Sequence, residues 1–497
     1  MNRIAWVVLA AVGFILIGCS HSSKYTVSNI RAEYSDIAVP SPKRAASDNY
    51  PKEKLSPGAD ETDMAIRFPL TLPQVIDIAL SNNPDLQQAV YRMARAKAVK
   101  NLADTAFWPK IGFYTEYTQG DAPSAYLFKT IDQRKLPPNT NFNDPGWFEN
   151  YETGVQARMN LFNGGKDYLG LLMAEKSMEI SELDRQAVTN DLTAQVIAAF
   201  YDVLAAKKFI DIAAESVDTV SEQLRIIKVQ FEGGGALKSD VLSLQVRLAQ
   251  AKENLVQSRK RFKLAKAALA NLMGFDPAEF SERPDLITKT NEARIQIPET
   301  YEDGIIQALS QRPELEKVRK QLVKSRMGLD AAKTDYLPRV DLMGKYYVDD
   351  PEMDYNRDLE NWTAGVIFKW DLFTGFSTRA RIDQADAMVK EMLAADQQAT
   401  LGIKLDVKSA YLNREAAKAR YEVAASSVES AEESYRLVKA HYQGGSVTIT
   451  RYLEAELDRN RARIRSAAAF YDKIKASADL ARAIGKWALR NPQPLER

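Results

Sequence analysis

Ala79-Leu80-Ser81-Asn82-Asn83-Pro84-Asp85-Leu86 returns later in the chain as Ala308-Leu309-Ser310-Gln311-Arg312-Pro313-Glu314-Leu315, displaced by 229 residues. Pro109 and Pro338 keep the same displacement. Farther on the interval shortens: Asn150-Tyr151 pairs with Asn361-Trp362, Leu161-Phe162 with Leu372-Phe373, Gly233-Gly234 with Gly444-Gly445, and Gly274 with Gly485, all 211 residues apart. The chain reads as an internal duplication, ungapped on either side of one length change of 18 residues between about Thr118 and Glu149.

Each copy carries the same succession of signals. In the first, Thr71-Leu72-Pro73-Gln74 fits a capping box with proline near the helix start, and Asn83-Pro84 offers a second cap before a helix that runs to about Ala106. Trp108-Pro109 stops it. Two short strands follow, flanking a polar loop rich in proline and asparagine. Tyr151, Thr153, Val155, Ala157, Met159 and Leu161 alternate there with Glu152, Gly154, Gln156, Arg158 and Asn160, the period of a strand with one apolar face. In the second copy Trp362, Ala364, Val366, Phe368, Trp370 and Leu372 alternate in the same way, and the partner strands supply Ile111, Phe113, Tyr117 and Val340, Leu342, Tyr346.

After Asn163-Gly164-Gly165 a segment without proline reaches about Glu232, about 100 Å if helical. Gly233 to Gly235 turn the chain. A second helix then returns along Val241, Leu244, Leu248, Ala251, Leu255, Ser258, Phe262, Ala265, Leu269 and Leu272, in the alternating steps of three and four that mark a coiled-coil seam. The second copy predicts the same hairpin, turning at Gly444-Gly445-Ser446.

The balance of 67 Lys plus Arg against 66 Asp plus Glu leaves no basic footprint for nucleic acid, so no such partner is expected. The apolar run Ile4 to Gly18, preceded by Arg3, reads as a signal peptide (residues 1–18), and the setting of Cys19 resembles a bacterial lipoprotein site at which that cysteine is acylated. Alternatives are a plain signal peptide with an incidental cysteine, or a short anchor. Cys19 is the one cysteine of the chain, which excludes an internal disulfide. The organisation expected is a lipid-anchored extended linker over 19–69, a first repeat over 70–285 and a second over 286–497. The strands are expected near 110–119, 150–161, 339–348 and 361–372, and the long helical hairpins over 166–273 and 377–485.

Strands of about ten residues with one apolar face match the length of a tilted membrane strand, but four cannot close, and an open edge in lipid leaves backbone groups unsatisfied. Several chains must share a barrel. Two copies would give eight strands and three would give twelve, and only the larger leaves a lumen wide enough for passage. The aromatics Tyr117, Trp147, Tyr151, Tyr346, Tyr347, Trp362 and Trp370 gather about the strands as interfacial girdles do. A soluble β-hairpin domain capping a coiled-coil stalk is the competing reading.

Taken from about Leu70 to Lys486, the order of elements resembles the TolC-like outer-membrane efflux family, in its lipoprotein branch. The patterns that carry the likeness are Leu72 to Leu86, Trp108-Pro109, Leu161-Phe162-Asn163-Gly164-Gly165, and Phe231-Glu232-Gly233-Gly234-Gly235 leading to Asp240-Val241-Leu242. The resemblance implies a mainly helical, duplicated chain whose homotrimer shares a 12-stranded β-barrel in outer-membrane lipid, continued by a long α-helical barrel in the periplasm. It implies a passive exit duct of a tripartite efflux system, with an inner-membrane pump and a periplasmic membrane-fusion adaptor as partners. The adaptor would dock at the tips, here Phe231, Gly233, Gly234, Gly235, Tyr442, Gly444, Gly445 and Ser446. The periplasmic constriction would fall at Thr450, Arg451 and Glu454, where the arginine departs from the acidic pattern usual in the family and could pair with Glu454 between protomers. Type I protein secretion and a lipid-tethered structural stalk without a pore are the alternatives.

No catalytic constellation is visible, and no cofactor or metal site is expected. His21 and His441 stand in different contexts, and Gly233-Gly234-Gly235 lacks the lysine and hydroxyl residue of a phosphate loop.

Overall fold

The computed structural model describes residues 69–282, 295–352 and 357–488, so the signal peptide, Cys19 and nearly all of the linker lie outside the described residues. Helix α1 (Leu72–Asn82) starts where Thr71 donates from both its N–H and its hydroxyl to Gln74 Oε1 at 2.9 Å. One residue after it ends, α2 (Pro84–Asp104) begins. Asn83 Oδ1 accepts from the N–H groups of Asp85 and Leu86 at 2.9 and 3.3 Å, and Pro84 occupies a position that has no intrahelical donor to lose.

A 3-10 turn at Thr105–Phe107 leads to β1 (Lys110–Gly120), α3 (Pro123–Asp132), β2 (Phe148–Phe162), α4 (Lys166–Glu232), α5 (Lys238–Leu272) and the short α6 (Pro277–Glu282). The later half runs α7 (Tyr301–Gln311), α8 (Pro313–Lys333), β3 (Arg339–Asp350), β4 (Glu360–Lys369), α9 (Ser377–Gln443) and α10 (Ile449–Ala483). Helices α4 and α9 both span 67 residues, and α5 and α10 both span 35.

One expectation is corrected. The stretch between β1 and β2 is not loop throughout, because Pro123 opens the ten-residue helix α3. The run Ser124 to Asp132 holds no glycine or proline and gains a surface to pack on, while the prolines and asparagines that suggested a loop lie after it. Among the described residues, the matching connection between β3 and β4 holds a 3-10 turn at Arg357–Leu359 and no α-helix. The longer of the two strand connections therefore coincides with an added helix.

Residues 110–158 and 343–365 form one compact unit, built on the middle of a four-stranded sheet of order β1-β2-β3-β4. Strands β1 and β2 are antiparallel, with Phe113 opposite Val155 and Tyr117 opposite Tyr151. Odd-numbered residues of the two strands therefore share one face, on which Ile111, Phe113, Tyr117 and Val155 are exposed. The even-numbered face is polar: Tyr114 donates to Glu152 Oε1 at 2.7 Å, and Lys345 of β3 pairs with the same carboxylate.

The helices other than α3 belong to the second unit. None of the seam residues named along α5 is exposed, and Leu244, Ala251 and Leu269 are fully buried. Helix α4 packs against α1, α2, α5, α8 and α10, whereas α9 packs against α7, α8 and α10. Toward the hairpin ends one core joins all four long helices, through Val220, Leu224 and Ile227 of α4, Leu244 of α5, Tyr435 of α9, and Ile449, Tyr452 and Ala455 of α10. Among the described residues no helix is long and apolar enough to cross a membrane.

Candidate functional site

The two tips close with one backbone pattern. At the first, the N–H groups of Gly233, Gly234 and Gly235 donate to the carbonyls of Val229, Phe231 and Gln230 at 3.1, 3.0 and 2.7 Å; at the second, Gly444, Gly445 and Ser446 donate to Ala440, Tyr442 and His441 at 3.1, 3.0 and 2.9 Å. Only the middle glycine of each is left-handed, Gly234 at φ 76° and Gly445 at φ 73°. Gly233 and Gly444, at φ −84° and −83°, have ordinary helical-side backbone, and Ser446 fills the place of Gly235 without difficulty. Positive φ is thus confined to one glycine per tip.

Side chains divide the tips further. Phe231 is exposed, and Gly233 to Gly235 leave open surface. Tyr442 is drawn inward: its ring stacks on Tyr452 at 5.1 Å between centroids, and its hydroxyl accepts from Gln223 Nε2 at 3.2 Å. His441, which is exposed, sits 3.2 Å from the Ser446 hydroxyl through Nδ1.

At the start of α10, Thr448 caps the helix by accepting from the Arg451 N–H at 3.4 Å. Thr450 is exposed. Arg451 and Glu454 are about half exposed and pair with each other within the helix, at 3.4 Å. A pair so placed contributes little to the stability of one chain, which leaves both side chains free to meet other groups.

A buried charge cluster lies just beyond, which the sequence did not single out. Glu456 is completely buried on α10; it accepts from Ser216 of α4 at 2.8 Å, lies 3.3 Å from Arg247 Nη2 of α5, and is bonded by Asn460. Three of the four long helices are pinned on that carboxylate. Arg459, one turn on, lies 3.5 Å from Glu215 of α4 and places its guanidinium 4.0 Å from the ring centroid of Tyr435 on α9. Tyr435 and Tyr452 hydroxyls meet at 3.1 Å, and burial, then that hydroxyl contact, pushes the Tyr452 phenol above its usual range. A signal was present: Leu248 of the first seam corresponds to Arg459 at the 211-residue spacing, so a charge stands where a seam residue belongs.

At the other end of the hairpins, the two copies make one contact with different chemistry. Asn83 Nδ2 donates to Leu272 O at 2.9 Å, and its counterpart Arg312 reaches Ala483 O at 3.4 Å. Arg312 and Arg482 both grip Asp406, at 2.5 and 3.0 Å. Burial would raise the Asp406 carboxyl, but the two guanidiniums outweigh it and hold it below its ordinary value.

Among the described residues no group of acidic residues, histidines and cysteines is placed to hold a metal ion. The model of the family described as "Outer membrane efflux protein" matches residues 75–275 and 304–486. The alkaline protease secretion protein AprF of Pseudomonas aeruginosa is 26% identical over 326 residues, 64% of this chain and 64% of that one. OpmQ, a pyoverdine export outer membrane protein of the same species, is 22% identical over 421 residues, 83% of this chain and 85% of its own. The solved Campylobacter jejuni CmeC outer membrane channel is 18% identical and shares the fold, with a TM-score of 0.73 over 85% of this chain and 87% of that one. With most of its length matched, the chain belongs to the outer membrane efflux protein family.

Proposed function

We propose that this outer membrane efflux protein is the passive exit duct of a tripartite system, in which a homotrimer closes a 12-stranded barrel in the outer membrane. The observation that carries the reading is the sheet: its apolar face is exposed on β1 and β2, and its edges β1 and β4 have no partner strand among the described residues. In lipid those edges must pair, and pairing β4 of one copy with β1 of the next satisfies them by threefold repetition. The paired lengths of the long helices support an origin by duplication, which gives two hairpins per copy and an approximately sixfold helical tube.

In this reading an inner-membrane pump supplies the energy and a periplasmic adaptor docks on the tips, with Phe231 and the open glycine surfaces as the accessible part of the site. Thr450, Arg451 and Glu454 form the periplasmic constriction when three copies meet. Cys19 carries acyl chains that add a second attachment to outer-membrane lipid. Native mass spectrometry in detergent is expected to give trimers, and reconstituted protein is expected to conduct in planar bilayers; a monomer without conductance would overturn the duct. Arg451→Ala combined with Glu454→Ala is expected to raise single-channel conductance, and an unchanged value removes these residues from the gate.

Protein secretion is a second reading, favoured by the likeness to AprF, a protease secretion protein. The two differ in the pump that is engaged. Cross-linking at the tips in the native host, followed by identification of the attached adaptor and pump, separates them.

A further inference from the structure

Helix α3 lies on the polar face of the sheet and is fastened there by polar side chains. Lys129 Nζ bridges Glu152 of β2 at 2.6 Å and Asp349 of β3 at 2.9 Å, and the Asp349 side chain is fully buried. Gln133 donates to Asn150 Oδ1 at 2.8 Å and to Glu149 O at 2.9 Å, and Asn150 in turn donates to Asp349 Oδ1 at 2.6 Å. Just past the helix Arg134 reaches Asn361 Oδ1 of β4 at 3.2 Å. The helix is therefore fastened to strands of both copies.

The opposite side of α3 is apolar and bare. Phe128 and Ile131, three residues apart and so on one side of the helix, are 69% and 48% exposed. A ten-residue helix that turns a lysine in toward the sheet, 24% exposed, and leaves a phenylalanine outside is inverted for a soluble surface, since burying the ring would have been favourable and partly burying the charge costs. The inversion makes sense if something apolar covers that side in the assembly. Lipid does not fit, because lipid takes the other face of the sheet, where Phe113 and Val155 are exposed.

We propose that α3 is an outer gate: the Phe128 and Ile131 faces of three copies meet across the threefold axis, forming an apolar constriction within the barrel. This rests on the trimeric duct. The occupant of each exposed face is the same face of the neighbouring copies, brought together because α3 sits on the face of the sheet that lines the duct once β4 of each copy pairs with β1 of the next. An apolar ring in a water-filled pore resists wetting and so resists ion flow, while it yields to a large solute pushed from below. Lys129 is a positioning residue, holding the helix against the wall.

The test uses full-length protein in planar bilayers. Phe128→Ala with Ile131→Ala is expected to raise single-channel conductance at least twofold; because both residues are exposed, the variant should fold and trimerise as the parent does. Phe128→Cys is expected to give dimers with a short bis-maleimide in intact trimers, with a matching fall in conductance, while the parent, whose one cysteine is Cys19, gives none. Lys129→Met is expected to give flickering openings as the helix leaves the wall. A conducting parent whose Phe128 variants neither cross-link nor change conductance overturns the outer gate and leaves the duct standing. A parent that never conducts overturns both.

Discussion

Gly234 and Gly445 reverse their hairpins at φ 76° and 73°, within the same set of backbone hydrogen bonds, but the returning helices bury different chemistry. Along α5 the seam position is Leu248; along α10 its counterpart is Arg459, with fully buried Glu456 beside it. At that place the first returning helix buries a leucine and the second buries charges, whose partners Ser216, Arg247 and Glu215 belong to the first hairpin. An apolar seam tolerates small shifts, since dispersion and burial are not directional, whereas a buried carboxylate that loses its partners leaves an uncompensated charge.

The largest expected effect strikes that difference directly. Glu456→Ala strands Arg247 and is expected to destabilise the helical unit by about 3 kcal/mol, while Gln245→Ala, at the matching exposed position of α5, shifts stability by less than about 0.5 kcal/mol. Thermal unfolding followed by far-UV circular dichroism reads both; equal losses would mean that the two hairpins are held alike. Next, Gly234→Ala and Gly445→Ala each place a Cβ in the left-handed region and should cost about 1 kcal/mol, whereas Gly233→Ala and Gly444→Ala, at backbone that alanine adopts, should stabilise by about 0.4 kcal/mol or more. Denaturant midpoints decide it, and a marked difference between Gly234 and Gly445 would break the claim that the reversals are equivalent.

A pH experiment sharpens the same contrast at the far end of the hairpins. The folded-state value of Asp406 is depressed, so its contribution is complete above the unfolded value of about 4 and is lost as pH falls through the folded one. The corresponding position in the first copy is Gln195, and Asn83 makes its contact without charge. Acid is therefore expected to loosen the second copy first, visible as early hydrogen exchange near Asp406 at low pH, and Asp406→Asn should flatten the acid limb of the stability curve. Smallest of all, the exposed Arg451–Glu454 pair should change stability by under about 0.5 kcal/mol when both residues become alanine, even if conductance moves.

The seam Val241 to Leu272 was legible because a helix buries by period, and each step of three or four returns to one face. The caps at Thr71 and Asn83 were legible because their bonding is local. Helix α3 was not, since its stability comes from strands distant in sequence, and Lys129 looks like any surface lysine until Glu152 and Asp349 are brought to it. Which glycine of each tip takes the left-handed conformation was not legible, and the turn uses one, Gly234 and Gly445.

By itself, the sequence determined the repeated order of elements, the length of the long helices and the alternation of the strands, because each follows from contacts or periods within a few residues along the chain. Only the tertiary structure decided which charges are buried. Whether Glu456 is a solvated helix residue or a locked carboxylate depends on Ser216 and Arg247, and whether Asp349 faces water depends on α3; those encounters arise from packing between distant segments, which no local pattern records.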